Sequence, residues 1–176
     1  HQLYPKVTYE VMEGGGKIVE NLTETDEVDI GITTLPVDAT LFHSVPLYNE
    51  ELLLVVSKGH ALAQQEKVDL AELKEEEFVL FHDDYYLKDQ IIENCKRLGF
   101  YPKTVANISQ ISFIANMISQ GIGISVVPES LVHLMGDNVK ALKLENAELS
   151  WHLGLIWRRD AYLNFVTREW IQFIRD

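Results

Sequence analysis

Short apolar runs alternate with helical stripes along this whole chain, and Gly or Pro punctuates nearly every change. Val28 to Leu35 (VDIGITTL), Leu52 to Val56, Phe78 to Phe81 and Ile122 to Val127 are brief and almost continuously apolar; Pro36 closes the first and Pro128 the last. Runs of this length suit strands covered on both faces. Lys6 to Glu13, with Val7, Tyr9 and Val11 at period two, reads as a further strand, as do Thr104 to Asn107, Val139 to Leu144 and Trp151 to Trp157. Helical spacing marks Lys17 to Thr25 (Ile18, Val19 and Leu22 inward), and Tyr85 to Leu98 (Leu87, Ile91, Cys95 and Leu98 on one face). It also marks Ile111 to Gln120, a short helix from Pro128 to Met135, and Tyr162 to Ile174 with Leu163, Val166, Trp170 and Phe173 or Ile174 inward. Asp83 or Asp84 is positioned to cap the second of these helices and Ser109 the third. Gly99 stands where a helix end needs a left-handed residue, and Gly121 stops the third helix. Asp69-Leu-Ala-Glu72 has the spacing of a capping box. Such alternation predicts an α/β fold with mostly parallel sheets, whose ligands bind beyond the carboxyl ends of the strands.

Composition narrows the function. With 15 Lys and Arg against 27 Asp and Glu, the 176-residue chain has a formal charge of −12. A sequence-independent grip on phosphates needs clustered cations, so this chain is not itself a nucleic-acid surface. No apolar run approaches the roughly 18 to 20 residues that span a bilayer, and the opening HQLYPKVTYE has no apolar leader core. A single cysteine, Cys95, cannot form an internal disulfide, which fits a reducing cytoplasm.

Taken in order, three stretches resemble the effector-binding domain of LysR-type transcriptional regulators. YPKVTYEVMEGGGKIVENLTETDEVDIGITTLP resembles its first lobe, and PLYNEELLLVVSKGHALAQQEKVDLAELKEEEFVLF its crossover into the second. The most specific is ISFIANMISQGIGISVVPESL, a helix, a Gly-x-Gly turn, a buried strand and a proline. The resemblance covers essentially the whole chain. It implies a two-lobed, type II periplasmic-binding-protein-like fold, Rossmann-like lobes joined by two crossover strands. Lobe I would comprise residues 1–56 plus 149–176, and lobe II residues 57–148. The family's first strand and most of its first helix have no counterpart here, nor does its N-terminal winged helix-turn-helix. The resemblance further implies a small-molecule effector, an organic anion, bound between the lobes without a cofactor. It implies a cytoplasmic, non-enzymatic homodimer or homotetramer that meets promoter DNA only through that absent domain. In such dimers a lobe II helix packs on the partner's lobe I, a role for Tyr85 to Leu98.

Candidate contacts follow from strand ends and helix starts. Gly14 and Gly15, in Gly14-Gly-Gly-Lys17, offer backbone donors at a helix start, or form a tight turn needing positive φ. Thr33 and Thr34 end a strand and can donate to an anion without burying a charge. Phe81 and His82 end another strand; His82 either meets a carboxylate or caps the next helix with Asp83 and Asp84. Asn107, Ser109 and Gln110 precede the third helix. Arg158 and Arg159 follow the last strand; they read first as exposed surface arginines, with bidentate capture of a carboxylate as the alternative. The Tyr85-Tyr86 pair reads as surface or subunit contact.

Catalytic constellations are lacking. Cys95 falls on an apolar helix face, whereas a reactive thiol needs an electropositive, accessible setting. The histidines His1, His43, His60, His82, His133 and His152 are scattered, with neither HExxH nor a CxxC partner, so no metal site is expected. Ser57, Ser125 and Ser130 lack a GxSxG elbow. Two rivals to a sensor remain: an enzyme on the same bilobed scaffold, dehydratase-like, and an extracytoplasmic solute-binding protein.

Overall fold

A computed structural model of the protein describes residues 4–175. In chain order the elements are α1 (Gly16–Glu24), β1 (Gly31–Thr34), β2 (Phe42–Glu50), β3 (Leu52–Ser57), β4 (Lys67–Asp69), β5 (Glu77–Phe81), α2 (Tyr86–Arg97) and β6 (Lys103–Ile108). They continue with α3 (Ile111–Ser119), β7 (Ser125–Pro128), α4 (Glu129–Val132), β8 (Val139–Glu145), β9 (Trp151–Arg158) and α5 (Phe165–Arg175). The chain divides into two compact units, one running to Tyr48 and resuming at His152, the other from Asn49 to Trp151.

The first unit holds a three-stranded sheet in the order β1-β9-β2. β1 is antiparallel to β9, with Thr33 opposite Gly154 and Thr34 opposite Leu153. α1 packs on β1 through Gly31: a Cβ there would lie 2.6 Å from Val19 Cγ1 and 2.7 Å from Thr23 Oγ1. The inward face of α1 is therefore Val19 and Thr23, and Ile18, expected inside, is 43% exposed. Lys6 to Glu13 joins no sheet among the described residues, because alternation makes a strand only when a neighbour supplies the ladder. Pro46 lies within β2, on the sheet's edge, where a missing donor is tolerated. The closing helix starts at Phe165, capped by Asn164 Oδ1 accepting from Thr167 N at 2.9 Å. This start turns Thr167 and Ile171 inward and leaves Val166 and Phe173 exposed, a face about one residue away from the expected stripe.

The second unit is built on a four-stranded sheet, β4-β8-β3-β7. β3 lies inside it, and Leu54, Val55 and Val56 are wholly buried. Here the expectation of mostly parallel sheets gives way: β3 is antiparallel to both β7 and β8, while β4–β8 and β5–β6 are parallel. A continuous apolar run reports burial on two faces, not strand direction. β5 is joined to the residues before β7 by Val79 N donating to Ile124 O and Ile124 N to Glu77 O, both at 2.8 Å. Gly123, at φ +75, permits this approach. α2 and α3 cover the core with Leu87, Ile91 and Cys95, and with Ile114, Ala115 and Ile118. Leu98, expected on that face, is the C-cap and 38% exposed. The Asp69–Glu72 capping box is present and opens a 3-10 turn, Leu70–Glu75.

Candidate functional site

Because β5 and β6 are parallel, both deliver their carboxyl ends to the same edge. Leu80 stands opposite Asn107 and Phe81 opposite Ile108, which brings Phe81, His82, Asn107, Ser109 and Gln110 together. Phe81 is buried, whereas His82, Asn107, Ser109 and Gln110 are exposed. His82 Nδ1 and Asp84 Oδ1 are 2.8 Å apart, so this carboxylate orients the imidazole and leaves Nε2 outward. The N-cap of α2 is Tyr85, not Asp83 or Asp84, and Asp83 pairs with Lys88. The N-cap of α3 is Gln110, without a side-chain capping bond, so Ser109 does not cap the helix as expected. A break between strand and helix one residue later than the sequence pattern places it accounts for the difference. Among the described residues no hydrogen bond engages the side chains of Asn107, Ser109 or Gln110, which leaves neutral donors at a helix start.

Tyr85, read from sequence as surface or subunit contact, belongs to this edge. Its ring packs on Phe81 with centroids 5.1 Å apart, and its hydroxyl donates to Ser109 O at 3.4 Å. The residue thus spans the β5–α2 and β6–α3 turns. Its position four residues past a strand-ending Phe was the available signal.

The corresponding edge of the first unit differs. Thr33 and Thr34 are buried, and Thr33 Oγ1 donates to Glu20 Oε1 at 3.3 Å. Glu20 thus occupies the hydroxyl expected to meet an anion and sets a negative charge beside it. Gly15 is the N-cap of α1 at φ −66, and its carbonyl accepts from Ile18 N and Val19 N. None of Gly14, Gly15 and Gly16 has positive φ, so the expected left-handed turn is absent. Gly14 is small for packing instead: a Cβ there would lie 2.9 Å from Ile18 Cγ2. Both arginines are engaged, Arg158 with Asp26 at 2.8 Å and Glu24 O at 3.2 Å, and Arg159 with Ala39 O at 2.7 Å.

Cys95 is wholly buried, and loss of hydration pushes its thiol up to about 11. His43 stacks on Trp157 with centroids 5.5 Å apart, and His60 lies 3.3 Å from Glu76. His1 lies outside the described residues. Among the described residues no group of three His, Cys, Asp or Glu side chains could hold a metal, and no helix is long and apolar enough to cross a membrane.

A model of the LysR substrate binding domain matches residues 1–176. The chain belongs to this family. The HTH-type transcriptional regulator YwbI of Bacillus subtilis strain 168 is 37% identical over 170 residues, 96% of this chain and 56% of that protein. The chain spans about half the length of the curated relatives it matches. The effector binding domain of QuiR in complex with shikimate superimposes with a TM-score of 0.86 at 21% identity, covering 98% of this chain and 82% of that one. The regulatory domain of Synechocystis PCC6803 CcmR in complex with 2-PG gives 0.87 at 16% identity, covering 98% and 84%. The LysR effector-binding fold anticipated from the three sequence stretches is therefore the fold of this chain. The chain is the effector-binding domain of a LysR-type regulator, and an enzyme or an export-type binding protein on this scaffold is not favoured.

Proposed function

We propose that this domain senses a small organic anion, a carboxylate or phosphate ester, and that it performs no catalysis. The carboxyl edge of β5 and β6 carries the recognition. There Ser109, Gln110 and Asn107 offer uncharged donors beside the start of α3, and His82 offers an oriented imidazole. Phe81 and Tyr85 supply an apolar wall. The observation that supports this most is the freedom of those three polar side chains at a helix start, within a family whose relatives include domains solved with shikimate and with 2-PG. In the first unit Gly14 and Gly15 at the start of α1, together with Thr34, are the secondary candidates, and Glu20 disfavours an anion at Thr33. The intact regulator acts in the cytoplasm as a homodimer or homotetramer, and it contacts promoter DNA through an N-terminal winged helix-turn-helix outside this chain. An effector changes that contact only by binding one arrangement of the protein more tightly than another.

A thermal-shift screen of about a hundred central metabolites, rich in carboxylates and phosphates, tests the reading. A ligand at 100 times its Kd stabilises by roughly 2.7 kcal/mol, which is readily seen. A saturable shift by one anionic class, without turnover of the hit and reduced in Ser109→Ala and Gln110→Ala, is the expected result. A hit confined to neutral or cationic compounds, or one consumed by the protein, would refute it.

A further inference from the structure

Residues 147–150, just before β9, belong to no strand, yet two carboxamides of α2 hold their backbone. Gln90 Nε2 donates to Ser150 O at 3.1 Å, and Ser150 N donates to Gln90 Oε1 at 2.9 Å. One helical turn on, Asn94 Nδ2 donates to Glu148 O at 3.3 Å, and Glu148 N donates to Asn94 Oδ1 at 2.7 Å. Asn94 also donates to Gln90 O at 2.8 Å and accepts from Arg97 Nη2 at 2.6 Å. Only 4% exposed, it thus uses both its donors and both its acceptor sites.

The match is geometric. Four residues of helix rise about 6 Å, and two residues of extended chain span about 6.6 Å. Residues 90 and 94 therefore reach residues 150 and 148, and the helix stands in for a neighbouring strand. Ala147, Leu149 and Trp151 pack on the core of the second unit. The chain leaves that unit after Trp151, and the next residue is anchored again, because His152 O accepts from Leu35 N at 2.7 Å. Leu153 and Gly154 then pair with Thr34 and Thr33. A single residue separates the two anchorages. At its other end α2 follows its N-cap Tyr85, which packs against Phe81 and whose N–H donates to His82 O at 3.0 Å.

We propose that Gln90 and Asn94 are positioning residues that fix where β9 leaves the second unit, and that through them a displacement at the Phe81–His82 edge is delivered by α2 to the backbone of Thr33 to Leu35. The relay takes its meaning from the effector-sensing reading above, but its test uses no effector, so either can fail without the other.

The experiment is amide hydrogen exchange and NMR on this chain. In Gln90→Ala, exchange of the Ser150 amide accelerates about five- to tenfold, the factor expected for one neutral hydrogen bond. The Leu35 amide follows by about threefold or more, while Val79 and Ile124, bonded elsewhere in the second unit, keep their wild-type rates. Loosening of Ser150 with Leu35 unchanged overturns the positioning role. Should Gln90→Ala fail to fold, Gln90→Glu keeps the acceptor for Ser150 N and loses only the donor to Ser150 O. There Leu35 is expected to exchange faster than in the wild type, and a wild-type rate overturns the proposal. For the relay, Asp84→Asn perturbs the edge at His82. It should shift the Leu35 amide resonance in the wild-type background and not in Gln90→Ala; equal shifts in both, or none in either, overturn it.

Discussion

Gly123 and Gly99 share a left-handed backbone, at φ +75 and +83, but differ in surroundings, and that difference makes a sharp test of how β5 is held. Replacing either by Ala places a Cβ in a conformation that costs an L-residue about 1–2 kcal/mol. At Gly99 nothing lies within 4 Å of the new atom, so this conformational cost, about 1 kcal/mol, is the whole effect. At Gly123 the same atom would sit 2.6 Å from Glu77 O and 3.3 Å from Glu77 C, both backbone. Relieving that clash moves the carbonyl that accepts from Ile124 N and disturbs the companion bond from Val79 N to Ile124 O. Two such bonds, at about 1 kcal/mol each, bring the expected destabilisation to about 3 kcal/mol. Urea unfolding of the two variants and the wild type, followed by circular dichroism, reads the difference as shifted midpoints at equal slope. β5 ends at Phe81 and His82, so Gly123→Ala should also weaken effector binding in isothermal titration, while Gly99→Ala should not. Equal losses of stability in the two variants would show that the steric reasoning is wrong.

Four further outcomes are expected. The Cys95 thiol, lifted from an ordinary 9.0 to about 11 by burial, keeps its proton in the folded chain at a pH where the unfolded chain loses it. The unfolded state then binds fewer protons, so stability falls as pH rises from about 9 towards 11, by at most about 1.4 kcal/mol per pH unit, and Cys95→Ala flattens that part of the curve in denaturant titrations. The same thiol should resist Ellman's reagent until denaturant is added. Asp69→Ala removes the cap of the 3-10 turn and its contact with Asn146, for a loss of about 1 kcal/mol in thermal unfolding. Glu20→Gln removes the charge beside Thr33 and should leave anion affinity unchanged or improved by calorimetry, whereas a loss would mean that Glu20 itself contacts the effector.

What could be read in advance depended on how local its cause was. The strands around Leu54, Leu80 and Val126, the Asp69–Glu72 box, the left-handed Gly99 and the helix stop at Gly121 all follow from a few consecutive residues. Pairing direction did not, because antiparallel β3–β8 joins residues such as Leu54 and Leu142 that no window of sequence contains together. Lys6 to Glu13 shows the same limit from the other side, with a strand pattern and no ladder. On α5 two adjacent apolar stripes compete, and the Asn164 cap decides between them. At the candidate site Phe81 and His82 were legible as a strand end, and Asn107, Ser109 and Gln110 as the approach to a helix start. The Glu20 carboxylate at Thr33 and the Tyr85 ring on Phe81 required the fold, since each joins separate elements or turns the chain back on itself.

Pro46 has a consequence for behaviour at high concentration. It sits in β2, at the margin of the first unit's sheet, and a proline has no N–H to offer a newcomer. A second chain trying to add a strand along β2 would find its ladder interrupted midway, so on that side the sheet is guarded against the edge-to-edge growth that seeds fibrils.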